Sequence, residues 1–107
     1  PYTTLFRSML HSNDFGSTNT MSVTPHISIS SDNLMIEKIA MDNTPSCWRI
    51  FNGCSIWHPK QLLGEIRSNS WLITDLTLTE IFDLDARTQW DTGVNRTANQ
   101  MLDKLFT

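Results

Sequence analysis

Apolar and polar positions follow several rhythms along this chain, and each predicts a different element. In "SVTPHISIS", Ile27 and Ile29 alternate with small polar residues, the period of a half-buried strand, and Pro25 places it at a sheet edge or strand start. In "SDNLMIEKIAMDN", Leu34, Ile36, Ile39 and Ala40 follow capping-type residues, predicting a short helix ended by Asn43 and Pro45. In "CWRIFNGCSIW", two apolar, aromatic runs flank Asn52-Gly53, whose residues tolerate the positive φ of a type I′ turn. This predicts a β-hairpin over about 47–57, with strands at 47–51 and 54–57. Its register sets Trp48 opposite Trp57 at a non-hydrogen-bonded position, where an aromatic pair contributes up to about 1 kcal/mol.

The second half changes to the helical period. "HPKQLLGEIRSN" has Pro59 at a first helical position and Leu62, Leu63 and Ile66 on one face, with Asn69 as its end. "SWLIT" reads as a short strand. "TLTE" is a capping box, Thr77 with Glu80, opening a helix that turns Leu78, Ile81 and Phe82 inward. After the polar stretch "DARTQWDTG", Asn95 is a natural N-cap for "RTANQMLDKLF". There Ala98, Met101, Leu102, Leu105 and Phe106 form an inward stripe, while Arg96, Asn99, Gln100, Asp103 and Lys104 face away. The fold class this predicts is α+β, a small single domain over 23–107 with truncation left open, preceded by an aperiodic, flexible lead-in at 9–22. Residues 1–8, "PYTTLFRS", resemble the in-frame translation of a common short-read sequencing adapter and are set aside as a library remnant.

Composition narrows the function classes. Hydrophobic content of 39% with four Trp and five Phe is enough for one core. No apolar run approaches the roughly 20 residues of a membrane span, so no membrane partner is expected and a cytoplasmic location is the default. A net charge of −3 does not favour a protein that coats phosphate backbones, although a few basic residues on one face would suffice for recognition. In the hairpin register Cys47 and Cys54 lie about 13 Å apart at roughly 3.3 Å per residue, too far for a disulfide, so two buried free thiols are expected. Their spacing with His58 fits no usual zinc pattern, so no metal site is expected. His11 falls in the lead-in, His26 on a polar strand face and His58 at the hairpin exit. Asp83 and Asp85 point to different helix faces. There is no Gly-rich phosphate loop among the four glycines. The expectation is a non-catalytic protein with no cofactor and no catalytic residues.

The stretch from Leu62 to Phe106 also resembles a winged helix-turn-helix domain. "LTLTEIFDL" is similar to its second helix and "GVNRTANQMLDKLF" to its recognition helix. The resemblance implies a DNA-binding or replication-associated module that reads double-stranded DNA. Asn95, Arg96, Thr97, Asn99 and Gln100 would be set in the groove and Lys104 near the backbone, a chemistry that suits base and phosphate contacts. The alternatives are a protein-interaction or structural module, acting on a protein partner or as a homodimer through exposed aromatics such as Trp71 or Trp90, and an incomplete fragment of a larger protein.

Overall fold

Strand β1 (Arg7–Ser12) begins in the stretch set aside as an adapter remnant and runs on where a flexible lead-in was expected, and the sheet is built on both of its sides. The computed structural model describes residues 7–52 and 55–106. In it β1 pairs with β3 (Ile27–Ser30) on one side and β4 (Trp48–Asn52) on the other, and β2 (Thr20–Ser22) adds outside β3. The antiparallel order is β2-β3-β1-β4. The α+β class is as expected. The chain divides into a sheet unit, residues 1–56, and a helical unit, residues 57–107.

The sheet unit has a small core with a polar centre. Helix α1 (Asn33–Ala40) brings Met35 against Met9 of β1 and Phe15 of the following loop, with Ile36 and Ile39 at the margin. Met9 pairs with Ser30 and His11 with Ser28, so these side chains share one face of the sheet. His11 and Ser30 are both fully buried (0% exposed). The pattern "ISIS" was read as isoleucine inside and serine outside. Both sets are largely covered here, because the serines have partners. The carbonyl of Ser12 lies 2.7 Å from His11 Nδ1 and can only accept, which assigns a proton to that nitrogen. In the neutral ring, Nε2 then accepts from the Ser30 hydroxyl at 2.7 Å, and Thr20 Oγ1 sits 2.6 Å behind Ser30. Thr20 Oγ1 in turn accepts from the Ser17 amide at 2.8 Å. Each buried polar atom is satisfied, which is what lets a polar core persist.

Two carboxylates fasten the loops. Asp32 is the N-cap of α1, its Oδ1 accepting from the Met35 amide at 2.7 Å and the Ser17 hydroxyl at 2.6 Å, its Oδ2 from the Asn19 amide at 2.9 Å. Burial pushes Asp32 up, but these donors together hold it below its ordinary value. Asp14 accepts from the hydroxyls of Ser12 and Ser46, which lower it to about 2, and from the Ser46 amide at 3.0 Å. It thereby ties the end of β1 to the segment that enters β4. The predicted hairpin is corrected here. Its first strand exists as β4, but its ladder runs to β1, with Met9 opposite Ile50 and His11 opposite Trp48. Ser55 to Trp57 form no strand, Gly53 and Cys54 lie outside the described residues, and Cys47 is exposed, not buried.

The helical unit holds α2 (Pro59–Arg67), α3 (Leu78–Asp83) and α4 (Ala86–Phe106). Pro59 occupies the first turn of α2 as expected, with His58 Nδ1 accepting from the Lys60 amide at 3.2 Å. Asn69, at φ 62°, stands just beyond the Ser68 C-cap in the left-handed region that Asn tolerates. "SWLIT" is not a strand. It runs as irregular chain, where Trp71 stands edge-on to Trp57 at 5.4 Å and donates to Glu65 Oε1 at 3.0 Å. Trp57 therefore pairs with Trp71, not with Trp48. The capping box forms as read: the Glu80 amide donates to Thr77 Oγ1 at 3.2 Å and the Thr77 amide to Glu80 Oε1 at 2.9 Å.

Candidate interaction face of the helical unit

Helix α4 starts at Ala86 rather than after Asn95, because Asp85 caps it. The Thr88 amide donates to Asp85 Oδ1 at 2.8 Å and the Thr88 hydroxyl to Oδ2 at 3.1 Å. The polar stretch before Asn95 is thus helical from Ala86 on, and only Leu84 and Asp85 separate α3 from α4. Starting earlier does not change which residues share a face, but it shows which face meets the rest of the unit. Gly93 and Thr97 are the buried positions of α4. A Cβ on Gly93 would stand 3.3 Å from Thr74 Cγ2, so its lack of a side chain permits this close approach.

The six residues assigned to a DNA-reading face are separated by this arrangement. Arg96 lies across to α3, its two terminal nitrogens each 2.8 Å from a Glu80 oxygen, with a further bond of 2.5 Å to the Asp75 carbonyl. The guanidinium, with the Thr77 amide, lowers Glu80 from its ordinary 4.5 to about 2, and the same pair raises Arg96. Thr97 is buried, its hydroxyl donating weakly to the Ile73 carbonyl at 3.4 Å. Asn95, Asn99, Gln100 and Lys104 are exposed. The stripe expected inside is outside: Leu102 is 51% and Phe106 85% exposed, and Met101 and Leu105 are exposed with them.

Between α4 and the chain from Ser70 to Leu76 lies an open cleft of about 570 Å³. Trp71, Leu72, Leu76, Trp90 and Val94 supply most of its wall. Thr74 also lines it, with its Oγ1 buried beneath the surface and without a hydrogen-bond partner. Gln89, also lining the cleft, spends its amide on the Glu80 and Ile81 carbonyls, at 3.1 Å each. The arrangement suits an apolar group. Trp71 and Trp90 were singled out in the sequence. Thr74 was missed, since nothing local distinguishes it from any other threonine. His11 was missed as well, but its contact with Ser30 is sealed from solvent and reads as core. Among the described residues no cluster of three or more His, Cys, Asp or Glu could hold a metal ion, and no helix is long and apolar enough to cross a membrane.

A family model described as AlgH-like (DUF179) matches residues 2–102. The chain belongs to this AlgH-like family. It is 38% identical over 74 residues to a UPF0301 protein of Marinomonas sp. (strain MWYL1), a match spanning 69% of this chain and 39% of that one. A UPF0301 protein of Methylococcus capsulatus is 30% identical over 83 residues, or 78% of this chain and 46% of the relative. The chain thus spans less than half the length of these curated relatives. The solution structure of the AlgH protein from Pseudomonas aeruginosa superposes with a TM-score of 0.75 at 23% identity, over 90% of this chain and 50% of that one, and shares the fold. The winged helix-turn-helix resemblance is thereby overturned. It rested on apolar spacing in two neighbouring helices, a pattern that any helix pair packing one face will show. The family match also reaches into residues 1–8, the stretch set aside as an adapter remnant.

Proposed function

We propose that this AlgH-like protein is a non-catalytic binding module, and that its working surface is the cleft of the helical unit. The partner is a protein segment that inserts an apolar side chain between Trp71 and Trp90. The observation that carries this reading is the pair of exposed tryptophans, Trp71 and Trp90, in the wall of a largely apolar cleft. Exposed aromatic walls favour a protein surface, where tryptophan commonly anchors binding.

The test is selection from a displayed random-peptide library, followed by affinity measurement on variants. Selected peptides should lose about tenfold or more in affinity to Trp90→Ala and to Leu72→Glu, two exposed wall positions whose replacement should spare the fold. Peptides that bind both variants as well as the parent would defeat the proposal. So would binding to a random-sequence duplex that weakens with salt and with Lys104→Ala, since that result would return function to the exposed polar residues of α4.

A further inference from the structure

We propose that the outer edge of β4 takes a further strand, contributed by the part of the AlgH-like fold that lies outside this chain. The inference concerns the sheet unit and does not rest on the cleft. It begins with which way each backbone group points. The Ser31 amide donates to the Asn19 carbonyl at 3.1 Å and the Val23 amide to the Ile27 carbonyl at 2.9 Å, which fixes the bonded pairs between β2 and β3. With Met21 opposite Ile29, the odd positions of β3 bond β2, leaving Ser28 and Ser30 to bond His11 and Met9 of β1. The even positions of β1 are then left for β4. The Ser12 amide donating to the Cys47 carbonyl at 2.9 Å agrees with this. Leu10 with Arg49, and Ser8 with Phe51, are therefore the bonded pairs. Trp48, Ile50 and Asn52 turn their N–H and C=O groups away from β1.

Among the described residues β4 has no second neighbour in the sheet. Its outward groups form a ready template, and Trp48, Ile50 and Phe51 are exposed beside it. A bare edge of this kind, five residues long with apolar side chains, is one that proteins ordinarily cover. The opposite edge, β2, has three residues and offers a far shorter template. The occupant is identified by length. The matches reach only 39% and 46% of the two relatives, so more than half of each lies beyond the matched segment. A strand satisfies alternate outward N–H and C=O groups in a row, which a helix laid on the edge cannot do.

The experiment uses the whole chain, co-expressed with a separate polypeptide made from the longer flank of the Marinomonas relative beyond the matched segment. Amide exchange is followed by NMR in the chain alone and in the mixture. The expected result is a one-to-one complex in which the Trp48, Ile50 and Asn52 amides exchange about tenfold more slowly or better, while those of Arg49 and Phe51, already bonded to β1, change little. Ile50→Pro removes an outward N–H and should weaken the complex about tenfold with the β1 amides still protected. If that variant unfolds, the alternating pattern in the unaltered chain decides. Absence of a complex, a complex that leaves the three amides fast, or a chain that alone forms a dimer with them already slow would each overturn the proposal.

Discussion

In the sheet unit the best-buried side chains include a histidine and a serine, each bonded, while in the helical unit α4 buries a glycine and a threonine and exposes most of its large apolar residues. The sheet unit has closed its own core with modest means: two methionines, a phenylalanine and a run of hydroxyls. The helical unit is held differently, by caps and by the Arg96 clamp on Glu80, with its apolar residues left to line a cleft and an outer stripe. The difference teaches that an apolar stripe at helical spacing marks a face to be covered, but does not name what covers it. In α4 the covered face is set by what Gly93 allows and Arg96 grips.

The comparison can be broken most directly by truncation. Met35→Ala should cost about 2–5 kcal/mol in denaturant unfolding, whereas Leu102→Ala should stay within about 0.5 kcal/mol. Equal losses would mean that the α4 stripe is core after all. Next in size, Ser30→Ala leaves both His11 Nε2 and Thr20 Oγ1 short of a partner, at a cost of about 1–3 kcal/mol by the same measurement. A neutral result would mean that the polar centre of the sheet unit is not sealed. Thr74→Val sharpens the contrast from the other side. It keeps the shape and removes an unpartnered hydroxyl, so stability should rise by up to about 1 kcal/mol, read as a higher unfolding midpoint.

Acid should give the mildest effect, and it touches both units alike. Asp14 and Glu80 are each lowered to about 2, so the support they give is complete above the ordinary carboxylate range and fades as pH falls toward about 2. Carboxyl chemical shifts followed by NMR should show both titrating well below the ordinary carboxylate range, with Arg96→Gln raising Glu80 part of the way back and leaving Asp14 unchanged.

What could be read along the chain was what neighbours in sequence decide. Pro59 at a helix start, the Thr77 and Glu80 capping box and the strand at Ile27 need only a few adjacent residues to take effect. The rest depends on distant partners. Nothing local to His11 announces Ser30, so the polar residues of β1 and β2 looked like a linker. Asn52-Gly53 is a strong hairpin signal, yet β4 found its ladder in β1. At the candidate site, Arg96 looked free to read a base because the helix was judged by its apolar stripe. The overlooked signal was Asp85 three residues before Thr88, a cap that sets the helix start earlier and draws the polar stretch before Asn95 into the helix. Even so, only the fold could show that a carboxylate of the capping box has both oxygens taken by Arg96.

The Asp32 carboxylate has a consequence for how the sheet unit comes apart. One side chain caps α1 and also holds Ser17 and Asn19, so the first turn of the helix and the loop between β1 and β2 share one fastening. Loop opening and helix fraying should then be coupled. The amides of Asn19 and Met35, far apart in sequence, should lose their protection together, and Asp32→Ala should let each go at its own pace.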